Sequence, residues 1–395
     1  MDAPAPATRR PRDRRDQIAT KASELFADRG YQSVRMDDIA KASGITARAI
    51  YRHYENKQAL LSHVVLGEQS PLVELVEEWA KSPPDARDLD ERLATLTEAC
   101  LDNPRLSLLW QREARHLSPE DFKLLRGRTR MLAREYDRLL VRPERSDLDD
   151  YAAFLRALTV ASITSSSVYF DRTLPRPRLV RELVDATERA VLSEPVEPTG
   201  ERAAPKARRS LGSRREQLIA AAASAFRRDG YAGVSIDEIG REIGVVGPAL
   251  YRYFDNKADI LVAAVTRFSE WRALELLRAL EEEPRDDRVI VGLIDRYIHL
   301  AVDAPDLVAV SLTERLFLPE DVRERFDRAQ SENLAEWQRW LLEARPELDP
   351  QVGAVLATVA KTIIDDCVRT PRLQTGPAFE AELAAVVHAA LGLTA

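Results

Sequence analysis

The sequence predicts an all-α protein in which one helical plan is laid down twice. Three observations carry this. Apolar residues recur at helical spacing, as in Ile18, Ala22, Leu25 and Phe26 and again in Leu218, Ala222, Ala225 and Phe226. Alternating β-branched runs that would mark strands are few. A segment beginning at Arg14, RRDQIATKASELFADRGYQSVRMDDIAKASGITARAIYRHYENKQALL, aligns without a gap with one beginning at Arg214, at an offset of 200.

The repeat extends beyond that segment. Asn103-Pro104 through Leu117 corresponds to Ala304-Pro305 through Leu318, and Arg142-Pro143 is matched with Arg345-Pro346 ahead of a final pair of apolar segments. Whole halves are therefore duplicated, as a chain of 395 residues with room for two or more cores allows. A stretch rich in Pro, Gly, Ser and charge separates them. The expected layout is a first head at 12–58, a first helical domain at 59–192, a linker at 193–212, a second head at 213–258 and a second helical domain at 259–395.

Composition narrows the class. No apolar run reaches the ~18 residues that span a bilayer, and MDAPAPATRRPRDRRDQ has no apolar stretch for a signal peptide, so a cytoplasmic protein without membrane contact is expected. Cys100 and Cys367 lie far apart in apolar helical segments and read as small core residues. The net charge of −7 opposes nucleic-acid binding only as a total. Between Arg9 and Lys57 there are 12 Lys and Arg against 7 Asp and Glu, and between Lys206 and Lys257 there are 10 against 6, which leaves about −16 for the rest. Two basic modules on acidic bodies are a distribution suited to a polyanion.

Each copy opens with a helix closed by glycine, at Gly30-Tyr31 and Gly230-Tyr231, where a left-handed backbone is expected. A short second helix follows. Ser235-Ile236-Asp237-Glu238 forms a capping box, whereas the first copy has Arg35 in place of the serine and needs a different cap. Tight turns at Gly44-Ile45 and Gly244-Val245 lead to a third helix opening at Thr46 or Val246, which is helix-turn-helix spacing. Across about 48 residues in each copy, and especially in Tyr51-Arg52-His53-Tyr54-Glu55-Asn56-Lys57 and Tyr251-Arg252-Tyr253-Phe254-Asp255-Asn256-Lys257, the chain resembles the DNA-binding domain of TetR/AcrR-family regulators. The tandem layout is similar to that of double-TetR regulators. The resemblance implies two TetR-like units, each a three-helix DNA-binding domain followed by a helical-bundle effector and dimerisation domain.

Roles follow from what a third helix meets in a major groove. Thr46, Ala47 and Arg48 are small or able to hydrogen-bond with base edges, and Arg48 suits a bidentate contact to guanine or a solvated face. Val246, Gly247 and Pro248 offer apolar contact or close backbone approach, so the two heads are expected to read different sequences. Tyr51 and Tyr251 are candidates for phosphate contact or core packing, and Lys57 and Lys257 for phosphate contact at a positive helix end. Arg52 and Arg252 are open to ion pairing or DNA contact. Arg35, His53, Ser235 and Tyr253 complete the set. Arg9, Arg10, Arg12, Arg14 and Arg15, with Arg208, Arg209, Arg214 and Arg215, are expected to form basic arms along the backbone or in a minor groove.

Beyond the heads the signals are weaker. Trp110, Glu113 and His116, with Glu314 and Phe317, are candidates for holding a ligand's polar head, or the Glu and Arg residues of these stretches, Arg112, Glu113 and Arg115 with Glu314 and Arg315, simply pair with each other. The resemblance implies a small apolar or acyl-CoA-like effector and operator DNA as partners. The final helices, about 149–172 with 178–192 and about 350–368 with 378–391, correspond to a dimerising pair, so two such surfaces in one chain are expected to form an intramolecular pseudo-dimer, with a homodimer as the alternative. No nucleophile-base constellation, phosphate-cradling loop or metal spacing is present, so neither an enzyme nor a cofactor is expected. A helical interaction protein with a degenerate second head is the competing class.

Overall fold

A computed structural model describes residues 14–81, 89–170, 174–196, 212–245, 247–376 and 378–393. Arg9, Arg10, Arg12, Arg208, Arg209, Val246 and most of the linker lie outside them. Among the described residues there is no strand, and no helix is long and apolar enough to cross a membrane. By packing, the chain divides into residues 1–71 with 105–128, and residues 72–104 with 129–395, boundaries different from those read in the sequence.

The first unit holds α1 (Arg14–Arg29), α2 (Met36–Ala42), α3 (Ala47–Ile50) and the start of α4 (Lys57–Lys81), with α6 (Leu106–Glu113) and the start of α7 (Pro119–Tyr136). One apolar core joins them through Ile18, Phe26, Ile39, Ile50, Leu60, Leu109 and Leu125, all fully buried. At ~1.5–3 kcal/mol for each large apolar side chain buried, these residues hold the short α2 and α3, which are too brief to persist alone.

The second unit holds α5 (Leu89–Asp102), α8 (Asp150–Ser165) and α9 (Arg176–Leu192), then α10 (Arg214–Asp229), α11 (Ile236–Glu242), a 3₁₀ turn (Gly247–Arg252) and α12 (Lys257–Glu282). It continues through α13 (Val289–Asp303), α14 (Pro305–Thr313), α15 (Glu320–Ala344), α16 (Pro350–Val368), α17 (Pro371–Gln374) and α18 (Phe379–Ala390). α8 packs on α16, and α9 packs on α18. Between these pairs Arg156 donates to Glu382 at 2.7 Å, with the arginine wholly buried and the glutamate 3% exposed. Glu382 also accepts from the Val196 amide at 2.6 Å, and Tyr151 donates to the Leu373 carbonyl at 3.0 Å. Cys100 on α5 and Cys367 on α16 are buried and unbridged.

One sequence match is corrected. Arg345 corresponds to Arg145, not Arg142: Arg145 donates to the Leu192 and Ser193 carbonyls ending α9, Arg345 to the Leu391 carbonyl ending α18, and each also binds an acid two residues on, Asp147 or Glu347. Asp149 and Asp349 then cap α8 and α16. The Arg-Pro match lies at an offset of 203, outside the repeat, whose offset is 201 at Asn103 and Ala304, ahead of a π-helical turn at Asp137–Val141 in the first half. A π-turn accommodates one extra residue, which returns the register to 200.

Candidate nucleic-acid interface

In the first head, Gly30 and Gly44 take positive φ of 77° and 65°, and in the second Gly230 and Gly244 take 78° and 69°. Gly230 combines this with ψ 155°, so the helix end is closed by an extended glycine and not by the left-handed α geometry expected. The tight turns are closed by Ile45 N–H to Ala40 carbonyl at 3.0 Å and Val245 N–H to Gly240 carbonyl at 2.8 Å. The capping box appears as read: Ser235 and Glu238 exchange bonds of 3.2 and 2.7 Å. In the first head, Asp38 alone closes the cap, accepting from the Arg35 amide at 2.8 Å.

On the outer surface the structure brings together exposed Arg35, Thr46, Arg48, Tyr51, Arg52 and His53 in the first head, and Ser235, Tyr251, Arg252 and Tyr253 in the second. Tyr51 is 54% and Tyr251 50% exposed, too open for core residues of this size. Among the described residues, Arg48, Arg52 and Arg252 have no ion-pair partner, which leaves their charge available. Ala47 is half-buried against the core, so its contribution is partly to packing. Arg14 and Arg15 start α1, with Arg15 over the Tyr54 ring at 5.2 Å. Arg214 donates to the Ile243 carbonyl at 3.0 Å, and Arg215 lies over Phe254 at 5.0 Å. A cleft of about 460 Å³ beside the second head is lined by Arg215, Tyr251, Arg252, Tyr253 and Arg267. The third element differs between heads, being α-helical at Ala47–Ile50 but 3₁₀ at Gly247–Arg252.

Lys57 and Lys257 turn inward, away from the role expected for them. Lys57 donates to the Tyr31 and Val34 carbonyls, both at 2.8 Å, with its ammonium 4.1 Å from the centre of the Tyr31 ring. Lys257 repeats this on Tyr231 and Val234 at 2.6 and 2.7 Å, and on the Tyr231 ring at 4.2 Å. With two of three donors spent, each lysine closes the loop between the first two helices of its head. Desolvation lowers the pKa of both.

The ligand candidates occupy the other face of the same tyrosines. His116 stacks on Tyr31 with ring centres 5.0 Å apart, and Phe317 stacks on Tyr231 at 5.0 Å. Buried Glu113 accepts from Arg112 at 2.6 Å, and Arg112 donates to the Phe26 and Ala27 carbonyls at the end of α1. Glu314 accepts from the Tyr231 amide at 3.0 Å. Trp110 packs against the core of the first unit. The expectation of a ligand-holding role is therefore corrected for this group: charge and ring surface are consumed in fastening α6 and α14 to the heads. Burial, with Arg115 and Lys57 nearby, lowers the His116 pKa to about 4.

A three-helix head with exposed arginine and tyrosine at its third element, made twice, has the geometry of a helix-turn-helix domain. The family description "Bacterial regulatory proteins, tetR family" matches residues 18–64 and again 218–264, so each head is similar to the domain of that family and the similarity occurs twice in tandem. It is similar to the HTH-type transcriptional repressor KstR2 of Rhodococcus jostii, 30% identical over 115 residues, 29% of this chain and 56% of that protein. It is also similar to the HTH-type transcriptional activator FasR of Mycolicibacterium smegmatis, 37% identical over 95 residues, 24% of this chain and 42% of that one. The chain thus spans about half the length of these curated relatives. A TetR-family regulator from Bordetella parapertussis aligns in structure with a TM-score of 0.43 and 22% identity, over 47% of this chain and 100% of its own.

Sequence reasoning missed the buried pair Arg156 and Glu382 and a polar cluster around Arg272. Their members stand on different helices and share no local spacing.

Proposed function

We propose that the chain is a ligand-released repressor whose two heads read an asymmetric operator as a single-chain pseudo-dimer, in the manner of double-TetR regulators such as the mycobacterial repressor of the third mammalian-cell-entry operon. The observation that carries this is the packing of α8 and α9 against α16 and α18 within one chain, with Arg156 and Glu382 buried between them. A covalent linker raises the effective concentration of the halves to the order of mM, which favours this pairing over a two-chain assembly. Asymmetry of the operator follows from Arg48 in one head and Gly247-Pro248 at the same place in the other. Arg48 reads bases, while Arg35, Tyr51, Arg52, His53, Tyr251, Arg252 and Tyr253 position the heads on phosphate.

Release works as a population shift. A small apolar or acyl-CoA-like effector prefers the arrangement that does not fit DNA, and a difference of ~1–3 kcal/mol between states suffices to weaken binding. The stacks on Tyr31 and Tyr231 support this as the place where movement of α6 or α14 reaches a head.

Light scattering of the protein bound to fragments of its own promoter, alongside Arg48→Ala and Arg252→Ala, tests the proposal. One chain per site, weakened by both substitutions, is expected. Two chains per site, or a palindrome as the best site, overturns it. The 3₁₀ geometry of Gly247–Arg252 favours a second reading, an interaction or ligand-sensing protein with a degenerate second head, and a neutral Arg252→Ala selects that reading.

A further inference from the structure

The bundle core of the second half contains a polar cluster whose counterparts in the first half are mostly apolar. Arg272 on α12 is 3% exposed, with its guanidinium 5.3 Å from the centre of the Phe268 ring. It donates to Gln330 on α15 and, at 3.4 Å, to Ser269, while its Nε has no hydrogen-bond partner. Lys361 on α16 places its ammonium 4.0 Å from the centre of the Tyr297 ring and 5.8 Å from that of Trp337. Tyr297 on α13 donates to Asp365 at 2.6 Å.

The charge of Asp365 acts on both cations, in a region where burial opposes charge. Desolvation lowers the pKa of Arg272, and that of Lys361 falls to about 8. Lys361 is half-buried beside these rings. The duplicated half supplies the control: at the matching positions it carries Leu72, Leu96, Ala161 and Ser165. There α5 packs on α8 as α13 packs on α16, without the charges that Lys361 and Asp365 bring to the second half. A buried cation left short of partners is costly, and such groups persist where something pairs with them.

We infer that Arg272 and Lys361 form a binding site for the carboxylate of a small apolar acid, present in the second half only, with Phe268, Tyr297 and Trp337 receiving its apolar body. A guanidinium fork with a free Nε–H matches a carboxylate in geometry and charge, and the bound anion balances the second cation. This rests on the effector proposal and narrows it to an acidic ligand, one per chain.

Titration calorimetry of the full chain without DNA, using octanoate and its neutral counterpart octan-1-ol, tests the site. One octanoate per chain, octan-1-ol at least tenfold weaker, and at least tenfold loss in Arg272→Gln are expected, with quenching or enhancement of tryptophan fluorescence on binding. Lys361→Gln provides the same comparison should Arg272→Gln fail to fold. No binding of octanoate at millimolar concentration, two molecules per chain, equal affinity for octan-1-ol, or unchanged affinity in a folded variant each overturns the inference. Octanoate that binds as expected but leaves operator binding unchanged supports the site and refutes the effector proposal, so the two fail separately.

Discussion

Glu382→Gln isolates the contact that joins the two halves. Arg156 donates from Nη1 to Glu382 at 2.7 Å and to the Ala152 carbonyl at 3.1 Å, and from Nη2 to the Ser193 carbonyl at 2.8 Å. The amide keeps an acceptor for the arginine or for the Val196 N–H but removes the countercharge, leaving a wholly buried guanidinium among neutral groups. Removing one partner of a buried pair costs ~3–5 kcal/mol, a large part of the ~5–15 kcal/mol that separates folded from unfolded states in ordinary domains. Replacing both, as in Arg156→Met with Glu382→Met, removes the stranded charge and recovers most of the loss. Urea unfolding of the wild type, Arg156→Met, Glu382→Met and the double variant gives the coupling energy directly. A cost below ~1 kcal/mol for Glu382→Gln, or a double variant as unstable as the sum of the singles, refutes the argument that this pair is a closed, desolvated contact.

Three further outcomes follow from the geometry. Gly240→Ala places a methyl group 2.3 Å from the Val245 carbonyl oxygen and 2.4 Å from Leu250 Cδ1, so the second head loses ~1–3 kcal/mol, read as faster amide exchange in α11, and unchanged exchange contradicts the clash. Lys57→Met removes two charged hydrogen bonds and destabilises the first head by ~1.5–3 kcal/mol; its DNA affinity keeps the wild-type log–log salt slope, whereas a phosphate contact requires the slope to fall by ~0.9. His116 has its folded pKa lowered from 6.5 to about 4, so its neutral form contributes stability above pH 6.5 that is lost as the pH falls toward 4. After discounting for partial exposure the loss is on the order of 1–2 kcal/mol, and His116→Phe, the residue type that stacks on Tyr231 in the other half, abolishes this acid sensitivity in pH-dependent thermal melts.

The helical plan and both heads were legible because they rest on local signals: apolar spacing on one helix face, glycine where φ is positive, Ser235 three residues before Glu238. Side-chain direction was not local in the same way. Lys57 begins a helix, which suggests an anion, but its long side chain folds back over Tyr31, a choice fixed by two carbonyls 23 and 26 residues earlier. His116 and Phe317 look like pocket residues in sequence because nothing there shows that Tyr31 and Tyr231 lie opposite them. The Arg142 and Arg345 match failed for a different reason, since an identical Arg-Pro dipeptide three residues out of register outweighs Arg145, whose role shows only in the carbonyls it binds.

The two halves serve as controls for each other, and their differences fall into two kinds. Where His116 is replaced by Phe317, or Asp147 by Glu347, the geometry is kept: the ring still stacks and the arginine still ties down the last helix. Those positions maintain the scaffold, and any residue that meets the same contact satisfies them. At Arg156 the second half has Leu356 and at Arg272 the first has Leu72, changes that reverse polarity in a buried place, and at half-buried Lys361 it has Ala161. Such changes are costly unless each gains a partner its twin lacks. Arg156 has that partner in Glu382, whereas a contact between two copies of the second half would set Glu382 against Leu356 with no cation. The charge of Asp365 acts on both Arg272 and Lys361, and the anion that completes their balance is the one the binding experiment seeks.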